Sequence, residues 1–129
     1  MMKLLLDTHT FLWWITDSPL LSKNARQLIG DGYNTLYWST ASSWELAIKY
    51  ELGRIPLPVE PKDFIPPELA KNNIESIPIM DEHAFQAAQL PHHHRDPFDR
   101  RLIAQSKIES LPLLSNDKQL SQYDVQISW

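Results

Sequence analysis

The 129-residue sequence contains no cysteine, which removes disulfides, thiolate zinc sites and cysteine nucleophiles together. No stretch approaches the roughly 18 apolar residues of a membrane span. The start, Met1-Met2-Lys3, runs straight into Leu4-Leu5-Leu6-Asp7, without the longer apolar segment and small-residue cleavage site of a signal peptide. A cytoplasmic protein with no membrane attachment is expected. An excess of basic residues is also missing: 12 Lys and Arg face 16 Asp and Glu, a formal net charge of −4. That argues against wrapping nucleic acid by bulk charge. The objection weakens if several acids converge on divalent cations, because the local charge then differs from the overall count. Internal repeats, linkers and low-complexity tracts are absent too. The length suits one compact domain, residues 1–129, able to bury about two-thirds of its unfolded surface.

What is present is an alternation of short apolar runs and helical periods. Leu4–Leu6 reads as a buried strand ending at the polar turn Asp7-Thr8-His9. Phe11–Ile15 reads as a helix apolar at nearly every position, which must be buried, one side of it by a partner. Ser18 or Ser22 is placed to cap a second helix over Ser22–Ile29, closed by Gly30-Asp31-Gly32. Thr35–Trp38 is a second strand. A helix from about Ser43 to Glu51 follows, with Trp44, Ala47, Ile48 and Leu52 on one face and Gly53 at its end. The prolines from Pro56 to Pro67 predict an irregular stretch with two short helices, around Lys62–Phe64 and Pro67–Asn72. Ile74–Ile79 is a third strand edged by Pro78. Asp81 caps a helix over Glu82–Gln89. Asp96-Pro97 is a cap followed by proline at the first helical position, opening a helix to about Lys107. Leu113–Ser115 is a fourth strand, Asn116-Asp117 leads into a short helix to about Leu120, and Val125–Trp129 is the last strand. Strands alternating with helices predict an α/β protein with a parallel sheet covered on both faces.

The acids follow this punctuation. Asp7 and Asp117 come just after strands, where parallel sheets place their ligand sites. Glu45 lies in the first turn of the helix after the second strand. Asp96 and Asp99 open a further helix, three residues apart. Each has a plainer reading: Asp96 as a helix cap, Glu45 with Lys49 as a solvated i, i+4 pair, Asp99 with Arg95 as a helix-end ion pair, Asp117 as a cap. Asp7 resists one, since a charge directly after three leucines pays for desolvation unless something compensates. Converged carboxylates raise one another's pKa, and magnesium or manganese, hard cations that prefer oxygen, relieves the repulsion. Such ions activate water and neutralise charge on a phosphoryl group. The pattern predicts a metal-dependent nuclease.

Leu5-Leu6-Asp7-Thr8-His9, then Ser43-Trp44-Glu45-Leu46-Ala47-Ile48-Lys49 with Leu52-Gly53-Arg54, then His94-Arg95-Asp96-Pro97-Phe98-Asp99-Arg100 with Leu102-Ile103-Ala104-Gln105, then Ser115-Asn116-Asp117, together resemble the PIN-domain proteins, and within them the VapC-type toxins of bacterial toxin–antitoxin pairs. The closing Tyr123–Trp129 resembles that group's last strand, so the likeness covers the whole chain. It implies a three-layer α/β/α sandwich around a mainly parallel sheet, magnesium- or manganese-dependent endoribonuclease activity, a homodimer, and inhibition by a small cognate antitoxin inserting near the active site. By matching positions it implies Asp7, Glu45, Asp99 and Asp117 as the catalytic acids, with Asp7, Asp99, Asp96 and Asp117 as metal ligands. Asp96 and Asp99 compete for the helix-start position; Asp99 ranks first, with Asp96 a ligand or a group behind one. The family often has Thr or Ser, then Arg or Ala, before its last aspartate; here Ser115-Asn116 precedes Asp117.

Ser115 is expected to hydrogen-bond a ligating carboxylate, and Thr8 to support the same site. Lys49, Arg54, Arg95, Arg100 and Arg101 are the cations available to grip RNA, and His94 and His9 are placed to touch phosphate. His92-His93-His94 suits a loop better than a transition-metal site. Trp13, Trp14, Trp38 and Trp44 are expected to divide between core and contact surface. Two other functions fit the same residues: a catalytically weak PIN-fold module that mainly binds protein, and a structure-selective DNA nuclease.

Overall fold

The computed structural model describes residues 1–92 and 96–129. The order of elements is β1 (Lys3–Leu6), α1 (Thr8–Ile15), α2 (Lys23–Gly30), β2 (Thr35–Ser39), α3 (Thr40–Glu51), α4 (Pro61–Lys71), β3 (Ile74–Ile77), α5 (Asp81–Gln89), α6 (Pro97–Glu109), β4 (Leu113–Leu114), a 3₁₀ turn (Lys118–Gln122) and β5 (Ile127–Ser128). Among the described residues these strands make one parallel sheet in the order β3-β2-β1-β4-β5. β1 is central, and its register sets Leu4 beside Leu36 and Leu5 beside both Tyr37 and Leu113.

The pleat of β1 builds the three layers. Leu4 and Leu6 face one side and pack with Trp38 of β2 and with Phe11, Ala25, Ile29, Leu46, Ile65 and Leu69 from α1 to α4. Leu5 faces the other and packs with Leu90, Leu102, Ile103, Leu120 and Tyr123 around α5 and α6. A strand buried on both faces reads as a continuous apolar run, which is why Leu4-Leu5-Leu6 was legible. Among the described residues no helix is long and apolar enough to cross a membrane.

Several expected details hold. Ser22 caps α2, its Oγ accepting the Ala25 N–H at 2.9 Å. Asp96 caps α6, its Oδ1 accepting from the Phe98 and Asp99 amides at 2.8 and 3.4 Å. Gly53 follows α3 with φ of 69°, the left-handed conformation that a glycine adopts without a Cβ penalty. The tryptophans divide as expected. Trp38 is fully buried with its ring 4.4 Å from that of Phe11, whereas Trp44 is half-exposed against Phe98.

Other details differ. α4 is a single helix that contains Pro66 and Pro67, not two short ones. The two rings remove N–H groups that would reach back four residues, but burial of Ile65 and Leu69 against the core outweighs the loss. α3 is rotated from the expected orientation: Trp44 and Leu52 are exposed, while Ser42, Glu45 and Leu46 are buried. The apolar spacing there marked a surface, and the buried face carries polar groups toward the end of the sheet. Asp81 is the first residue of α5, not its cap. The cap is Met80, whose N–H donates to His83 Nδ1 at 2.8 Å.

Candidate active site

β1 ends at Leu6, so Asp7 stands at the carboxyl end of the central strand. Its main-chain N–H continues the sheet by donating to Leu114 O at 3.2 Å. Its side chain caps α1, Oδ1 accepting from the His9 N–H at 3.4 Å. Oδ2 accepts from the Ser115 hydroxyl at 2.6 Å. Ser115 Oγ in turn accepts the Asp117 N–H at 3.1 Å. One hydroxyl thus ties the end of β1 to the turn after β4 and orients both aspartates.

Glu45 arrives from the buried face of α3. Thr8 donates its hydroxyl to Glu45 Oε1 at 2.7 Å, with Ser42 Oγ 2.8 Å from the same Thr8 oxygen. Lys49, one turn further along α3, places Nζ 2.6 Å from Glu45 Oε2. The sequence reading of this pair as a solvated surface contact does not hold, since the Glu45 side chain is only 4% exposed. α6 supplies Asp99 from its first turn and Asp96 from its cap.

These acids line one pocket of about 360 Å³: Asp7, Glu45, Asp96, Asp99 and Asp117, joined by Lys49 and Lys118. The electrostatics show how closely they are coupled. Burial pushes the Asp99 carboxyl up to about 8, and the charges of Asp96, Asp7, Glu45 and Asp117 push in the same direction. Asp7 is also raised, by burial first, against the lowering effect of the Ser115 and His9 hydrogen bonds. Five carboxylates gathered as hard oxygen donors in one pocket fit a divalent cation such as magnesium or manganese.

Not every expected residue arrives. Arg100 is buried, and its guanidinium donates to the main-chain oxygens of Ala87, Leu90 and Pro91 at 2.8, 2.9 and 3.0 Å. It ties the end of α5 to α6, with no place among the residues lining the carboxylate pocket. A buried guanidinium needs several acceptors, and main-chain carbonyls at a helix end supply them. Arg101 lies over the Trp44 ring, 5.2 Å from its centroid. His94 and Arg95 lie outside the described residues. Lys118 was not singled out in the sequence; its adjacency to Asp117 was the available signal.

A groove of about 390 Å³ adjoins the pocket, lined by Leu12, Ile15, Ile55, Leu57 and Phe64 and sharing His9 with it. It accounts for the apolar run Phe11–Ile15 in α1: Phe11 faces the core, and Leu12 and Ile15 line the groove.

Residues 4–126 match the PIN domain family model. A stretch of 62 residues is 32% identical to Ribonuclease VapC16 of Mycobacterium tuberculosis, spanning 48% of this chain and 43% of that relative. The fold resembles chains in the crystal structures of VapBC2 from Rickettsia felis bound to a DNA fragment from its promoter and of DNA-bound VapBC from Salmonella typhimurium. The TM-score is 0.71 and the identity 16% for each, with coverage of 98% of both chains in the first, and of 99% of this chain and 98% of the other in the second. At that identity the structural likeness speaks for the fold. With nearly the whole chain matched by the family model and the carboxylates gathered at the end of a parallel sheet, the chain belongs to the PIN domain family.

Proposed function

We propose that the protein is a single-domain endoribonuclease dependent on magnesium or manganese, and that it acts in the cytoplasm as the toxin of a toxin–antitoxin pair. The observation that carries this reading is the shared pocket of Asp7, Glu45, Asp96, Asp99 and Asp117, in which burial first, and the neighbouring acids after it, push Asp99 up to about 8. Asp7, Asp99, Asp117 and Asp96 would hold the ion; bound there, it supplies Lewis-acid stabilisation of the phosphoryl oxygens and a more acidic water. Glu45 is held by Thr8 and Lys49, so its role is to fix the charge and orientation of the pocket wall. Ser115 orients Asp7. Lys49 and Lys118 supply the local positive charge by which an acidic protein meets a phosphate backbone.

The apolar groove beside the pocket supports the partner. An amphipathic antitoxin helix would bury its apolar face against Leu12, Ile15 and Phe64, with a basic side chain reaching past His9 into the carboxylates. For the homodimer, the half-exposed Trp44, with the part-buried Phe98 and Arg101 packed against it, offers the aromatic and arginine groups that interfaces favour.

The test is Asp7→Asn against a panel of transfer RNA, messenger RNA and single-stranded DNA, with and without magnesium or manganese. Wild type is expected to cleave RNA only with metal. The variant is expected to lose cleavage and growth inhibition while keeping its thermal transition. Full cleavage by the variant, with contaminating nuclease excluded, would overturn the mechanism. Cleavage of DNA alone would support the DNA-nuclease reading, and no cleavage by wild type would leave a protein-binding module.

A further inference from the structure

Among the described residues, His9 brings the only aromatic ring to the wall of the carboxylate pocket, and it is the residue that this pocket shares with the apolar groove. It stands in the first turn of α1 and is exposed. Its main-chain N–H donates to Asp7 Oδ1 at 3.4 Å, so the residue starts beside a carboxylate that holds the ion in the nuclease reading.

The way the ring is held tells what it can offer. An imidazole that works through one nitrogen is normally oriented by a hydrogen bond at the other. Among the described residues neither ring nitrogen of His9 makes a hydrogen bond. The ring leans instead on Trp13, with centroids 5.8 Å apart and planes 30° from parallel, within the range of favourable ring contacts. Trp13 meets Trp129 edge-on, also at 5.8 Å. Trp129 is fixed through its main chain. Its carbonyl oxygen accepts from Asn24 Nδ2 at 3.1 Å. The residue before it, Ser128, pairs with Leu114 and accepts the Ser115 N–H at 3.1 Å. Both indoles pack against the main core. A column of three rings thus runs from the edge of the sheet to the rim of the pocket, where its last member is open to solvent.

A ring supported on its face, with no partner at its edge, presents a face. Every nucleobase can stack on such a surface, and a ring already held from behind loses little freedom when it does so. We propose that His9 is a stacking platform for the nucleobase adjoining the phosphate held in the carboxylate pocket, with Trp13 and Trp129 as positioning residues behind it. The proposal rests on the nuclease reading and adds a base contact to it. A platform uses the face of the ring, whereas the phosphate contact anticipated from the sequence uses a nitrogen, and substitutions separate the two.

The test is steady-state cleavage of a short single-stranded RNA in magnesium by the full chain, with each base in turn replaced by an abasic residue. One abasic position is expected to raise KM about tenfold, the scale of one lost base–ring stack. His9→Ala should raise KM for the intact RNA by a similar factor, and should add little on the RNA abasic at that position, because both changes remove the same contact. His9→Phe, which keeps a ring, should stay within about threefold of wild type. His9→Gln, which keeps hydrogen-bonding groups without a ring, should behave like His9→Ala. Trp129→Leu should raise KM with kcat retained, and Trp129→Phe should restore it; a tryptophan that only filled the core would lower the melting temperature and leave KM alone. Retention by His9→Gln with loss in His9→Phe would overturn the proposal in favour of a phosphate contact. An unchanged KM in His9→Ala, or full additivity with the abasic RNA, would overturn it outright. Absence of cleavage by wild type would be a failure of the nuclease reading. The same variants are then compared by fluorescence anisotropy of the labelled RNA in chelator, where the same order of affinities is expected and equal affinities, or no binding, would overturn the platform.

Discussion

Asp7 and Asp99 carry their charge on different terms. Asp7 keeps two compensating hydrogen bonds, from Ser115 and the His9 amide. Asp99 is buried and stands against four acidic neighbours, and burial first, then their charges, raise its carboxyl to about 8. A carboxyl raised in the folded state stabilises the protein fully below its unfolded pKa of about 4. That contribution is lost as pH climbs through the folded value, because the native state binds the extra proton. Metal-free protein is therefore expected to lose thermal stability between about pH 4 and pH 8. Asp99→Asn should flatten that slope in a melting series; an unchanged slope would show that Asp99 is not the responsible group. Lys49 gives a second residue-scale prediction. Its ammonium is 2.6 Å from Glu45 Oε2 in the same pocket, so it opposes a metal cation while attracting phosphate. Lys49→Met should bind manganese several-fold more tightly by titration and raise KM for RNA. A purely structural lysine would change neither.

Elements explain why some functional assignments move when the structure is seen. Arg100 sits among acids in the sequence, but on α6 it faces α5 and binds three main-chain oxygens. Arg100→Leu is expected to lower unfolding free energy by about 3 kcal/mol in urea titration, the scale for removing charged hydrogen bonds to buried acceptors. Unchanged stability with a raised KM would return Arg100 to the substrate. α3 gives the same lesson for patterning. Ser42 and Glu45 face inward and Trp44 outward, so apolarity alone misidentified the buried face. Ser22 illustrates the opposite case, a cap legible from its own neighbours. Ser22→Ala should cost about 1 kcal/mol, seen as a lower urea midpoint at unchanged slope.

At the scale of the whole molecule, stability and metal binding are linked. The pocket draws on β1, α3, α6 and the turn after β4, which meet only in the folded chain. An ion that binds the folded state alone stabilises it by mass action. Magnesium or manganese at a hundredfold excess over its Kd should therefore add about 2.7 kcal/mol, read as a rise in Tm at pH 8 that chelator reverses. Asp7→Asn should reduce the rise sharply. No rise in wild type would remove the metal from the reading.

The sequence by itself determined the elements whose causes are local. Three leucines before a polar turn make a buried strand, Asp96-Pro97 opens a helix, and strand–helix alternation leads to a parallel sheet. It also singled out acids that the fold gathers in one pocket, because Asp7 and Asp117 follow strands and Asp99 opens a helix. The tertiary structure decided what depends on residues distant in the chain. Ser115 reaches Asp7 across 108 positions, and Thr8 reaches Glu45 across 37. It turned Glu45 inward with Lys49, sent Arg100 to α5, and carried α4 through two prolines. Local propensity acts within a few residues. The direction of a side chain, the burial of a charge and the shift of its pKa depend on which elements pack around it.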